Sequence, residues 1–103
     1  MIHVLATIEV EDGQRDFVLA EFARIIPAVR AEDGCIEYGT AIDTPSPSPV
    51  QIPLRPNVII VVEKWRDLAA LQAHSQAPHM NEYRQRTAGK VRSVSLQILE
   101  PVN

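Results

Sequence analysis

His74 and His79 follow the chain's only tryptophan, Trp65, by nine and fourteen residues. An imidazole changes charge near neutral pH, so a histidine held in a pocket can take or return a proton. Pro78 separates the two, and five positions do not set them on one regular helix face as a zinc-binding His-x-x-x-His pair requires. Nearby in sequence there is no convincing carboxylate for a third ligand, so no metal is expected. His79 falls in the first turn of a helix opened by Pro78, where the helix dipole disfavours a cation and keeps the ring neutral, as a base needs. General-base use therefore fits the pair better than metal ligation does. The plainer alternative makes His74 a cap of a short helix and His79 a half-exposed first-turn residue.

Trp65 reads as a core aromatic or as the flat wall of a pocket for a flat ligand. Glu63 lies two residues before it, on the same strand face. It closes an apolar run, Val58–Val62, and reads either as a buried acid or, slightly preferred, as the point where the strand reaches water. Tyr83 comes one helical turn after His79, with Met80 beside them, and Tyr38 arrives from another strand. Cys35 reads as a small buried residue. The four glycines (Gly13, Gly34, Gly39, Gly89) are scattered, so neither a phosphate loop nor a dinucleotide fingerprint is present.

These side chains need elements to hold them. Ile2–Val10 alternates apolar and mixed positions, a strand pattern with some apolar character on both faces. Asp12-Gly13 is a turn, and Asp12 can cap the helix after it. Gln14–Asp33 carries a helical stripe of Val18, Phe22, Ile25 and Val29, with Pro27 inside it predicting a kink near residues 23–27, and Gly34 as the helix-ending glycine. Cys35–Asp43 reads as a second strand with Ile36 and Tyr38 on one face. Thr44–Pro56 holds five of the eight prolines and reads as a long loop, since proline lacks the donor that a sheet ladder needs. Val58–Trp65 is the most apolar strand, hence central. Asp67 caps a short helix, Leu68–His74; Pro78–Ala88 is another, ended by Gly89; and Val91–Leu99 alternates as a last strand.

Strand, helix, strand, strand, helix pair, strand is the order of an α+β, ferredoxin-like split β-α-β sandwich. Helices cover one sheet face only. Leu5 and alternate residues of Val58–Val62 leave apolar surface on the other, which predicts a homodimer with sheets face to face. The 103 residues fit one domain, 1–103. With 46% apolar and 22% charged residues the composition is that of a globular protein, and a net charge of −3 speaks against a nucleic-acid or anionic-membrane partner. One cysteine excludes an internal disulfide framework. With no leader-like opening and no long apolar run, a cytoplasmic setting is expected.

Several stretches taken together resemble a known family. They are Gly34-Cys35-x-x-Tyr38 after a long helix, then Val61-Val62-Glu63-x-Trp65, then His74-Ser75-x-x-Pro78-His79-Met80, and a last strand ending Ile98-Leu99-x-Pro101. They resemble the antibiotic biosynthesis monooxygenase family, and within it the small bacterial quinol monooxygenases, over Ile2 to Pro101. The resemblance implies a dimeric α/β barrel with a pocket in each subunit between sheet and helices, into which Trp65, His74 and His79 point and Glu63 follows. It implies oxidation of a quinol, phenol or anthrone-like aromatic by dioxygen without cofactor or metal. Trp65 would then join His79 and His74 as catalytic groups, and Tyr38, Glu63, Met80 and Tyr83 would bind the ring. Some members carry a pocket asparagine on the first strand; the position here is Ala6. Two other classes remain open: a module that binds a hydrophobic ring without turnover, and an isomerase of a small carbonyl metabolite, which a polar pocket would favour.

Overall fold

Alternation builds the sheet. In a computed structural model that describes all 103 residues, β1 (Ile2–Val10) buries Val4, Ala6, Ile8 and Val10 on one face. β3 (Val58–Trp65) buries Ile59, Val61, Glu63 and Trp65 on the same face, because the two strands run antiparallel with Val4 opposite Glu63 and Ala6 opposite Val61. β2 (Cys35–Ala41) and β4 (Val91–Leu99) complete a four-stranded sheet of order β2-β3-β1-β4, antiparallel throughout. This is the ferredoxin-like arrangement that the element order predicts.

α1 spans Arg15–Arg30, shorter at both ends than the periodicity suggests. Its buried stripe is Val18, Phe22, Ile25 and Val29, as expected, and it runs on through Pro27 to Arg30. Asp12 does not cap it: Gln14 occupies that position without a side-chain bond, and Asp12 instead accepts from Asn57 Nδ2 at 2.6 Å. Gly34 lies beyond the helix end, in the turn to β2, at φ 86°. A side chain there would be strained, and its Cβ would stand 2.6 Å from the Ala70 Cβ. Glycine is what lets this turn dock on the next helix, and Arg66 N–H closes the contact by donating to the Gly34 carbonyl at 2.8 Å.

Ile36 and Tyr38 do not share a face. The register with β3 shifts between Cys35 and Glu37, a bulge that leaves Ile36 55% exposed while Tyr38 is buried opposite Glu63. Cys35 is half-buried against the core edge.

α2 (Leu68–Ser75) starts where Asp67 accepts from Ala70 N–H at 2.9 Å, as the sequence predicts. α3 (Pro78–Arg86) opens with proline in its first turn and ends before Gly89, whose φ of 79° turns the chain into β4. Residues 42–57 form the β2–β3 connection with no strand of their own. Its base is clamped by a bidentate Arg55–Asp43 pair, both bonds 2.9 Å, which holds the Asp43 carboxyl down at about 2. No helix is long and apolar enough to cross a membrane.

Candidate functional site

A cleft of about 610 Å³ lies between the sheet and the helices, where side chains alternate out of the strands toward α2 and α3. Ala6, Ile8 and Val61 line it from the central strands, Phe22 from α1, and Met80 and Tyr83 from α3. Fourteen of its 21 lining residues are hydrophobic. On the β4 side its wall is Val94, Leu96 and Ile98, which remain 58%, 52% and 49% exposed, so the cleft opens to solvent there.

The polar residues that line this space are Glu63, Gln72, His74, Ser75, Arg84 and Thr87. His74, in the last turn of α2, lines it with a side chain only 7% exposed. Its Nδ1 lies 2.8 Å from Glu32 Oε2. The same oxygen lies 2.8 Å from Nε2 of His79. An ionised carboxylate only accepts, so both rings donate their N–H to it. That fixes the tautomer of a neutral His74: Nδ1 carries the hydrogen, and Nε2 is left as an acceptor. Burial holds the His74 pKa below its ordinary value, against the upward pull of Glu32. The Trp65 ring backs the imidazole at 4.6 Å and the Tyr38 ring stands 5.4 Å away, so His74 is braced on several sides.

Glu63 does not reach water. It is 5% exposed, accepts from Trp65 Nε1 at 2.9 Å and lines the cleft. The slight preference for a solvent-exposed carboxylate is corrected by position: Glu63 is on the helix-covered face, two residues before a fully buried tryptophan. Burial pushes its pKa up to about 7, with the Glu32 charge adding to the rise and the Trp65 bond opposing it. Near neutrality it can therefore both accept and give a proton. Burial raises both tyrosine phenols, Tyr83 to about 12 and Tyr38 further, so each stays a donor. The Tyr83 hydroxyl is buried with no hydrogen-bond partner, while its ring packs on Phe22 at 4.4 Å.

Six of the seven residues singled out from the sequence surround this place, but not in one role. Tyr38, Glu63, His74, Met80 and Tyr83 line the cleft. Trp65, fully buried, stands behind His74 and Glu63. His79 is not among the lining residues; it touches the site through Glu32. His74 is no mere helix cap, since its ring is buried and bonded across 42 positions of sequence. Glu32 is the residue that sequence reasoning missed. The carboxylate sought near the histidines in sequence is supplied from the turn after α1.

A family model described as antibiotic biosynthesis monooxygenase matches residues 1–86. The Escherichia coli K12 protein named "Probable quinol monooxygenase YgiN" is 37% identical over 103 residues, covering 98% of each chain. Among solved structures, PA3566 from Pseudomonas aeruginosa matches with a TM-score of 0.82 at 22% identity, over 99% of this chain and 94% of that one. Rv0793 from Mycobacterium tuberculosis matches at 0.80 and 24%, over 99% and 95%. At those identities the two structures speak for the fold.

Proposed function

This chain belongs to the antibiotic biosynthesis monooxygenase family, and on that footing we propose that it oxidises a quinol, phenol or anthrone-like aromatic with dioxygen, using no bound cofactor. The observation that carries the reading is His74: a buried imidazole lining a mostly apolar cleft, its Nδ1 committed to Glu32, which leaves Nε2 as the uncommitted acceptor. The cleft volume suits a ring system of one to three rings.

A phenol is a poor electron donor to dioxygen, and a phenolate is a good one. His74 Nε2 accepts the phenolic proton. The phenolate passes one electron to dioxygen, and the resulting superoxide and ring radical combine at a neighbouring ring carbon as a hydroperoxide. Loss of water leaves one oxygen atom on the ring. For a quinol the sum is quinol plus dioxygen giving hydroxyquinone plus water. The hydroxide leaving from the hydroperoxide needs a proton, and Glu63, poised near neutrality, is the group to give it. The apolar walls limit water around the intermediates on every side but the open β4 edge, which a partner chain would have to cover. The same walls favour a ring over the small carbonyl metabolite of an isomerase. Binding without turnover is the remaining alternative; it would appear as saturable quenching of Trp65 with no oxygen uptake.

Oxygen consumption with a reduced naphthoquinone tests the reading. His74→Gln should lose about 100-fold or more in rate, the usual contribution of a positioned base. His79→Ala, two hydrogen bonds beyond His74 by way of Glu32, should lose less. Equal rates for wild type and His74→Gln would refute the role of the imidazole. We infer also that two copies pair: Leu5, Ile60 and Val62 on the sheet's open face are half-covered, and the exposed β4 residues add apolar surface.

A further inference from the structure

Glu32, His74 and His79 hold a second kind of chemistry. One comes from the turn after α1, one from the last turn of α2 and one from the first turn of α3. Their facing donor atoms, Oε2, Nδ1 and Nε2, all lie within 4.8 Å of one another. Two imidazoles and one carboxylate are a donor set that suits zinc and other divalent first-row metals. Glu32 also lines a second cleft with Asp33, Arg66 and Ala73, none of which lines the apolar one. We propose that Glu32, His74 and His79 form a site for a divalent cation of the zinc class, and that its occupancy silences His74 as a base. The second half rests on the role given to His74 above; the first does not.

The ion-free arrangement is a clamp in which each ring donates N–H to the carboxylate. To ligate, each ring presents a lone pair instead. The His74 hydrogen moves from Nδ1 to Nε2 and the His79 hydrogen from Nε2 to Nδ1, both by exchange with water, so neutral rings release no net proton. Metal–nitrogen bonds of about 2.0–2.1 Å set neighbouring donors roughly 3.0–3.4 Å apart. The two 2.8 Å contacts widen slightly and the two nitrogens draw together. His79, with 22% of its side chain exposed against 7% for His74, is the ring with room to turn. The fourth position is left for water or for the second oxygen of Glu32.

The consequence for the cleft is a reversal of one hydrogen bond. With the ion on Nδ1, the Nε2 of His74 carries hydrogen. It can donate to a ring oxygen but cannot accept the phenolic proton. The cation thus leaves ring binding intact and stops oxidation.

The test uses untagged protein stripped by a chelator and titrated with cobalt(II), whose visible absorption reports coordination. One ion per chain, with the bands of a four- or five-coordinate site, is expected. Glu32→Gln and His79→Gln should each weaken binding at least about tenfold, with folding checked by circular dichroism, while His3→Ala binds as wild type does. No stoichiometric binding, or binding unchanged in both variants, overturns the site. Zinc(II) should then inhibit quinol oxidation in wild type in proportion to occupancy. Undiminished oxidation at full occupancy overturns the silencing. The cobalt titration needs no substrate, so its outcome stands whether or not the ion-free protein oxidises quinols.

Discussion

At the residue scale the site depends on two buried titrating groups pulled in opposite directions. Glu63 has its pKa raised from 4.5 to about 7, so between those values the folded state holds a proton that the unfolded state has lost. Its contribution makes stability fall as pH rises from about 4.5 to 7 and then level off, by about 3 kcal/mol in all. His74 is held below its ordinary 6.5, and its contribution makes stability fall as pH drops below that value. The clean readout is a difference: Glu63→Gln should gain stability over wild type at pH 8 but not at pH 4, measured by denaturant unfolding at each pH. Tyr83→Phe makes a second case. Its hydroxyl is buried and unpaired, so removing it should leave the ligand-free protein as stable as before or up to about 1 kcal/mol more stable. Loss of stability would mean that the hydroxyl is bonded. If that hydroxyl waits for a ring oxygen, the variant should also raise KM for a quinol. Trp65 and the two histidines were legible as a cluster of rare types. Glu32 was not, because it lies 42 and 47 positions from its partners and nothing local marks it.

At the scale of elements, what joins Glu32 to the histidines is the turn between α1 and β2. Cys35 pairs with Trp65, so that turn and the start of α2 lie at the same end of the sheet. The topology, once drawn, could have placed Glu32 beside α2; the periodicity alone could not. Gly34 is the pivot. Gly34→Ala adds a strained left-handed residue and a Cβ 2.6 Å from the Ala70 Cβ. It should destabilise by about 1–3 kcal/mol and, by shifting Glu32, lower the oxidation rate at temperatures where the fold persists; a melting curve and an oxygen trace check both. Strand and helix identities were readable because each apolar stripe is long and regular. The bulge at Ile36 was not, since an extra residue in a strand leaves alternation intact on paper and is decided by its partner's register. Asp12 likewise carried a capping signal, but its carboxylate is taken by Asn57, 45 positions away in sequence.

For the whole molecule, helices shelter three strands and leave the fourth bare on the same side. β4 carries Val94, Leu96 and Ile98 outward beside the cleft, and Leu68 at 61% exposure faces solvent nearby. The sequence showed that one sheet face lacked cover; it did not show that part of the helix side lacks it too, because helix length and placement across the sheet are set by packing rather than by period. A chain of 11.5 kDa with this much open apolar surface should sediment at twice that mass, and a mass of one chain at micromolar concentration would defeat the pairing.

The open cleft also means that the core is unfinished. A ring compound seated there would cover the exposed lining residues Val94, Leu96 and Ile98, and so would act as a guest that completes the interior. Any such guest must raise the melting temperature, by mass action alone about 2.7 kcal/mol at a hundred times its Kd, or roughly 10 °C or more for a chain of this length. The protein can therefore be asked for its own substrate: a melting screen across quinols, phenols and anthrones should rank them by fit before any product is known.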